Sequence, residues 1–259
     1  MRVRGGVRGA AGLGGWLSAR GWCAGLVAVV VGMPLVTAAH APAAVRYRVT
    51  RTIPVGSYPR GVAVDPAARA VYVANDGDSW SDGTVSVIDA ATGTVTRTIR
   101  VGIDSMSVAV DPVASNVYVA NYLAGTVSVI DEATGTVTRT IPVGSDPVAV
   151  AVDPAARTVY VANTDGTVSV IDAATGTVTR TILVGPDPEA VAVDSAARAV
   201  YVAVAGDHAV SVIDAATGTV TGTIPVGSLP DGVAVDPCTH TVYVTNLLSN
   251  SVSVISPSM

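Results

Sequence analysis

The sequence predicts an all-β protein built from a repeated unit, and three observations predict it. The pentad Thr-Ile-x-Val-Gly begins at Thr52, Thr98, Thr140, Thr181 and Thr223, at spacings of 46, 42, 41 and 42 residues; a period held that closely marks a repeat architecture. Between the pentads lie short runs that alternate β-branched and small residues, which is the period of a strand and not of a helix. Many of these runs end in Asp-Pro or in a Gly-terminated turn. Composition agrees: 49% of the 259 residues are apolar, only 4% are aromatic, Phe is absent and charged residues make up 14%. That suits many short strands of Val, Ile and Thr packed closely together.

Each unit supplies four strands, A to D. Strand A carries Val-Ala-Val-Asp-Pro, as at Val62 to Pro66, and strand B carries Val-Tyr-Val-Ala-Asn, as at Val71 to Asn75. Strand C is Thr-Val-Ser-Val-Ile-Asp (Thr84 to Asp89) and strand D is Thr-Val-Thr-Arg-Thr-Ile (Thr94 to Ile99). Asp89-Ala-Ala-Thr-Gly93 joins C to D with the form of a tight hairpin whose Gly takes the left-handed position, and the same letters recur at Asp172 to Gly176 and Asp214 to Gly218. Asp65-Pro66, Asp111-Pro112, Asp153-Pro154 and Asp236-Pro237 end strand A, since Pro cannot donate to the ladder and Asp can bond its own turn.

Four antiparallel strands repeated at this period predict the blades of a β-propeller. Val45 to Ile53 reads as a D strand without its A, B and C, and Ser251 to Ile255 as a C strand without its D. The expectation is a single domain over 45–257, with five four-stranded blades and the ring closed by the N-terminal strand pairing with the C-terminal blade.

Residues 1–43 read as a signal peptide, with an uncleaved anchor as the alternative. Arg2, Arg4, Arg8 and Arg20 precede the apolar segment Cys23 to Ala39, which leads into small residues. A secreted or cell-surface location follows. From Val45 onward eleven Arg stand against twenty Asp and Glu, a formal charge of −9. No nucleic acid, and no membrane beyond the leader, is expected as a partner.

Tyr243-Val244-Thr245-Asn246 spells the tetrad of the YVTN family of β-propeller repeat proteins, and Tyr72-Val-Ala-Asn75, Tyr118-Val-Ala-Asn121 and Tyr160-Val-Ala-Asn163 differ from it by one residue. The fourth copy departs, reading Tyr201-Val-Ala-Val204. Over residues 45–257 the chain therefore resembles that family. The resemblance implies an extracytoplasmic propeller like bacterial and archaeal surface-layer-associated proteins, in which seven blades are common.

The A-to-B and C-to-D connections barely change between copies, whereas the D-to-A and B-to-C connections vary and emerge together on one face. That face is the candidate site. Its D-to-A loops carry Tyr58, Arg60, Asp104, Met106, Asp146, Asp187, Glu189 and Asp231. Its B-to-C loops carry Asp76, Asp78, Trp80, Asp82, Tyr122, Asp165, Asp207 and His208. Converging carboxylates can hold a hard cation or a cationic ligand; Asp in such loops also serves turn chemistry and solubility. Asp76, Asp78 and Asp82 in the longest insertion could supply oxygen ligands to Ca²⁺, although their spacing is not that of an EF-hand. Trp80 at that tip suits a sugar or a partner protein. Catalysis has little support, because His208 and His240 fall on opposite faces and no nucleophile elbow or phosphate-cradling loop occurs. The expected function is a binding or scaffold module for a protein or cell-wall glycan, with no cofactor beyond a possible Ca²⁺. A metal-dependent, lactonase-like hydrolase or lyase using loop carboxylates around the channel is the alternative.

Overall fold

The computed structural model describes residues 48–78 and 81–257. The leader, the start of the expected first strand (Val45 to Tyr47) and Trp80 lie outside the described residues. Sheet one comprises β1 (Pro59–Asp65), β2 (Ala70–Asn75), β3 (Asp82–Asp89) and β4 (Thr94–Ile103), and sheet two β5 (Ser105–Asp111), β6 (Asn116–Asn121), β7 (Thr126–Asp131) and β8 (Thr136–Pro142). Sheet three holds β9 (Pro147–Asp153), β10 (Thr158–Asn163), β11 (Thr167–Asp172) and β12 (Thr177–Leu183). Sheet four holds β13 (Pro188–Asp194), β14 (Ala199–Val204), β15 (Ala209–Asp214) and β16 (Thr219–Pro225). Sheet five has three strands, β17 (Pro230–Asp236), β18 (Thr241–Asn246) and β19 (Ser251–Ile255).

Every pairing is antiparallel between sequential strands, as the short turns require. The turns are built by the residues that mark them. Asp89 Oδ1 accepts the N–H groups of Ala91 and Thr92 at 2.8 and 2.7 Å, and Gly93 follows at φ 64°. Asp111 Oδ1 does the same for Val113 and Ala114 at 3.0 and 3.1 Å in the A-to-B turn. In sheets one to four the C–D register slips at the same station, as between Val87 and Ile88 or Val129 and Ile130, a bulge that bends the outer strand and increases its twist.

Because successive side chains point to opposite faces, each sheet can be apolar on both, and sheets two to four are sandwiched between their neighbours. Tyr72, Ala74, Val85 and Ile99 of sheet one pack against Val108, Val117, Val119 and Ile130 of sheet two. The same arrangement recurs from sheet to sheet. Inner strands pack in the order β1, β5, β9, β13, β17.

The closing strand differs from expectation. Arg48 to Val55 forms no strand, and among the described residues nothing pairs with the outer edge of β19. The inner strands β1 and β17 do not pack on each other as successive inner strands do. A D strand needs a C-strand edge to bond, and the Arg51 side chain of this segment lies instead at Gly93 of sheet one.

Candidate functional site

The variable loops form one face because each D-to-A corner is bonded to the B-to-C loop of the same sheet. The N–H groups of Asp76, Tyr122, Thr164, Ala205 and Leu247 donate to the carbonyls of Tyr58, Asp104, Asp146, Asp187 and Leu229 at 3.0, 2.7, 3.2, 2.9 and 2.9 Å. Those five corner residues all take left-handed backbone, with φ of 51, 61, 51, 60 and 54°. Asp is among the few side chains that tolerate this conformation. Asp104, Asp146 and Asp187 are therefore at the corners first of all because the chain turns there.

Once placed, the carboxylates act on one another. Partial burial raises the Asp104 carboxyl above the usual aspartate range, and the Asp76 and Asp146 charges raise it further against the opposing pull of Arg60. Arg60 reaches Asp76 at 3.3 Å, and Asp104 Oδ1 is buried without a hydrogen-bond partner. Burial likewise raises Glu189, with Asp187 and Asp231 adding to it. The Tyr122 hydroxyl is pushed up by desolvation and then by Asp146, Asp104, Glu189 and Asp187. Loops of all five sheets thus contribute to one negative field along this face.

Other candidates are occupied locally. Asp165 accepts from the N–H of Ser145 at 2.9 Å and from Thr167 N–H and Oγ1 at 3.1 and 2.5 Å. Asp231 accepts from Thr245 Oγ1 at 2.6 Å. His208, at φ 52°, accepts the Leu229 N–H on Nδ1 at 3.1 Å. Asp207 lies against Gly185. Tyr58 is exposed, as are Asp78 and Asp82. Among the described residues no three His, Cys, Asp or Glu side chains gather as a metal would require.

The opposite face holds the turn aspartates and His240, whose Nδ1 lies 2.7 Å from Asp194 Oδ2 of the preceding sheet. His208 and His240 are on opposite faces, so they cannot share a ligand. Glu132, the single Glu in a turn that otherwise reads Asp-Ala-Ala-Thr-Gly, lies in a cleft of about 250 Å³ between sheets one and two, lined by Tyr72, Arg97 and Ile99. Burial raises its carboxyl above the usual range, the Tyr72 hydroxyl opposing and Asp65 adding to the rise. The departure of that one letter from its copies was the available signal.

No curated protein matches the chain. A family model described as a YNCE-like beta-propeller matches residues 103–193, which span sheets two and three and most of β13. Over that stretch the chain is similar to a β-propeller family, in agreement with its stacked antiparallel four-stranded sheets.

Proposed function

We propose that the chain is a binding or scaffold module working outside the cytoplasm, and that its D-to-A and B-to-C face engages a cationic partner, either a basic protein segment or an amine-bearing wall glycan. One observation supports this: Asp104, Glu189 and Tyr122 sit together on this face, and each is pushed toward its protonated form first by burial and then by the loop carboxylates around it. A bound cation relieves that mutual repulsion, so the face gains most from positive ligands and repels negative ones. The exposed Tyr58 ring beside the acids offers a flat surface on which a guanidinium or a sugar can lie. The Arg-rich leader followed by an apolar run supports export.

The test is titration with a short oligo-arginine peptide at low and at physiological ionic strength. Binding should weaken with salt, and the variant Asp146→Asn/Asp187→Asn/Glu189→Gln should lose about 0.2–1 kcal/mol per removed charge. Binding that is equal in the variant and indifferent to salt would refute the acidic face as the docking surface.

A further inference from the structure

The two ends of the array expose the faces that its interior buries. Val117 and Val119 of β6, through which sheet two docks on sheet one, are 0% exposed, and so are their counterparts in sheets three to five. Sheet one carries the same pattern with no preceding sheet among the described residues: Val62 and Val64 are 65% and 57% exposed, whereas Val108, at the station of Val62, is 7%. At the far end Tyr243 is 45% exposed where Tyr72, Tyr118 and Tyr160 are 1–2%. Val252 and Val254 beside it are 56% and 59% exposed.

The backbone is unmatched in the same way. The Arg51 side chain lies over Gly93 just as Arg97 lies over Gly135 and Arg139 over Gly176. Arg48 to Val55 therefore stands beside sheet one in the place of an outer strand belonging to a preceding sheet, and among the described residues no such strand pairs with the outer edge of β19.

We propose that these ends are the two halves of one interface and that its occupant is a second copy of this chain. The Tyr243, Val252 and Val254 face of one copy docks on the Val62 and Val64 face of the next, and Arg48 to Val55 of the next copy adds to β19 as its fourth strand. In the register of sheet four, where Ser211 faces Thr223 and Val210 faces Ile224, Ser253 faces Thr52 and Val252 faces Ile53. A second copy fits better than the chain's own other end. The four interfaces between successive sheets are already packed, and β1 and β17 do not pack on each other as successive inner strands do; self-closure must shift those packed interfaces, while a second copy disturbs none. The contact is heterologous, so it propagates head to tail until a ring closes.

Sedimentation velocity of the full chain over a range of concentrations tests this, with Val64→Glu blocking one end and Val252→Glu the other. The wild type should associate, each variant alone should sediment as one chain, and their mixture should form a 1:1 dimer through the two intact ends. Val62→Glu and Val254→Glu repeat the test at neighbouring exposed stations should either first variant fail to melt cooperatively. A wild type that stays single at every concentration would overturn the proposal in favour of self-closure. Variants that associate like the wild type, or a mixture that does not pair, would place association elsewhere and overturn it equally.

Discussion

Asn121 is bonded to Gly102 across a sheet boundary. The Gly102 N–H donates to Asn121 Oδ1 at 3.1 Å, while Asn121 Nδ2 donates to Ser128 Oγ and Thr126 Oγ1 at 3.0 and 3.1 Å. The side chain is fully buried, and the last letter of the tetrad thus ties the B strand, the C strand and the incoming pentad Gly together. Asn75, Asn163 and Asn246 bond Ser86, Ser169 and Ser253 alike. Asn121→Ala should cost about 2–3 kcal/mol in urea unfolding, since it leaves a cavity and unsatisfied buried groups. Asn121→Val should cost less, about 1 kcal/mol, because the fourth copy shows the accommodation: with Val204 in that place, Ser211 Oγ donates to the Val184 carbonyl at 2.6 Å. Equal losses in the two variants would contradict that explanation.

Arg139 Nη1 donates to the Ala174 carbonyl of the next sheet at 3.2 Å, passing over Gly176, whose φ of 69° already favours glycine. Gly176→Ala is expected to lower stability by about 1–2 kcal/mol, combining left-handed strain with displacement of the Arg. Arg139→Ala loses only an exposed bond, about 0.5–1 kcal/mol. In the double variant the two losses should fall short of additive, measured as a double-mutant cycle in urea.

Glu132 should make the protein less stable at higher pH. Its carboxyl is raised in the folded state, so its contribution is most favourable below the unfolded value of 4.5 and declines as pH rises through the folded value. Glu132→Ala, the residue found at this station as Ala90, Ala173 and Ala215, should therefore gain more stability over the parent at pH 8 than at pH 5. The gain is on the order of 0.5 kcal/mol once solvent screening of a partly exposed group is allowed for. Urea midpoints at the two pH values measure it.

On the acid side the sign reverses. Asp89, Asp131, Asp172 and Asp214 are held below the ordinary value of 3.8 by the N–H groups they cap, led by the Thr three residues on. Their contribution is complete above that value and is lost as pH falls through the depressed ones. Asp131→Asn should lower the urea midpoint at pH 6, and the difference from the parent should shrink by pH 2.5.

Added Ca²⁺, after chelation, should leave the Tm within about 1 °C, because among the described residues no three carboxylates come close enough together to share one metal ion. Asp76 is held by Arg60, and Asp78 and Asp82 are exposed at the two ends of the insertion. A rise of several degrees would assign Asp76, Asp78 and Asp82 to a calcium site.

The strands of the five sheets, their turns and the separation of the loops into a constant and a variable face were legible in the sequence, whereas the D strand expected over Val45 to Ile53 is not formed at Arg48 to Ile53. They rest on local chemistry: period-two alternation, Asp that caps its own turn, Gly93 and its copies at positive φ. The left-handed corners at Asp104, Asp146 and Asp187 were half legible, since Asp is common in many loops for other reasons. What only the tertiary structure decided is how sheets meet. Whether Asp104 feels Asp76 and Asp146, whether Glu132 is buried against Tyr72, and whether Arg48 to Val55 reaches β19 all depend on the angle between stacked sheets. That angle is set by how the Val face of one sheet fits the Tyr and Ala face of the next, a many-body packing problem that no single repeat encodes. The array of five sheets consequently leaves Val62 and Tyr243 exposed at its ends, although the sequence pattern at each end matches the copies that are buried.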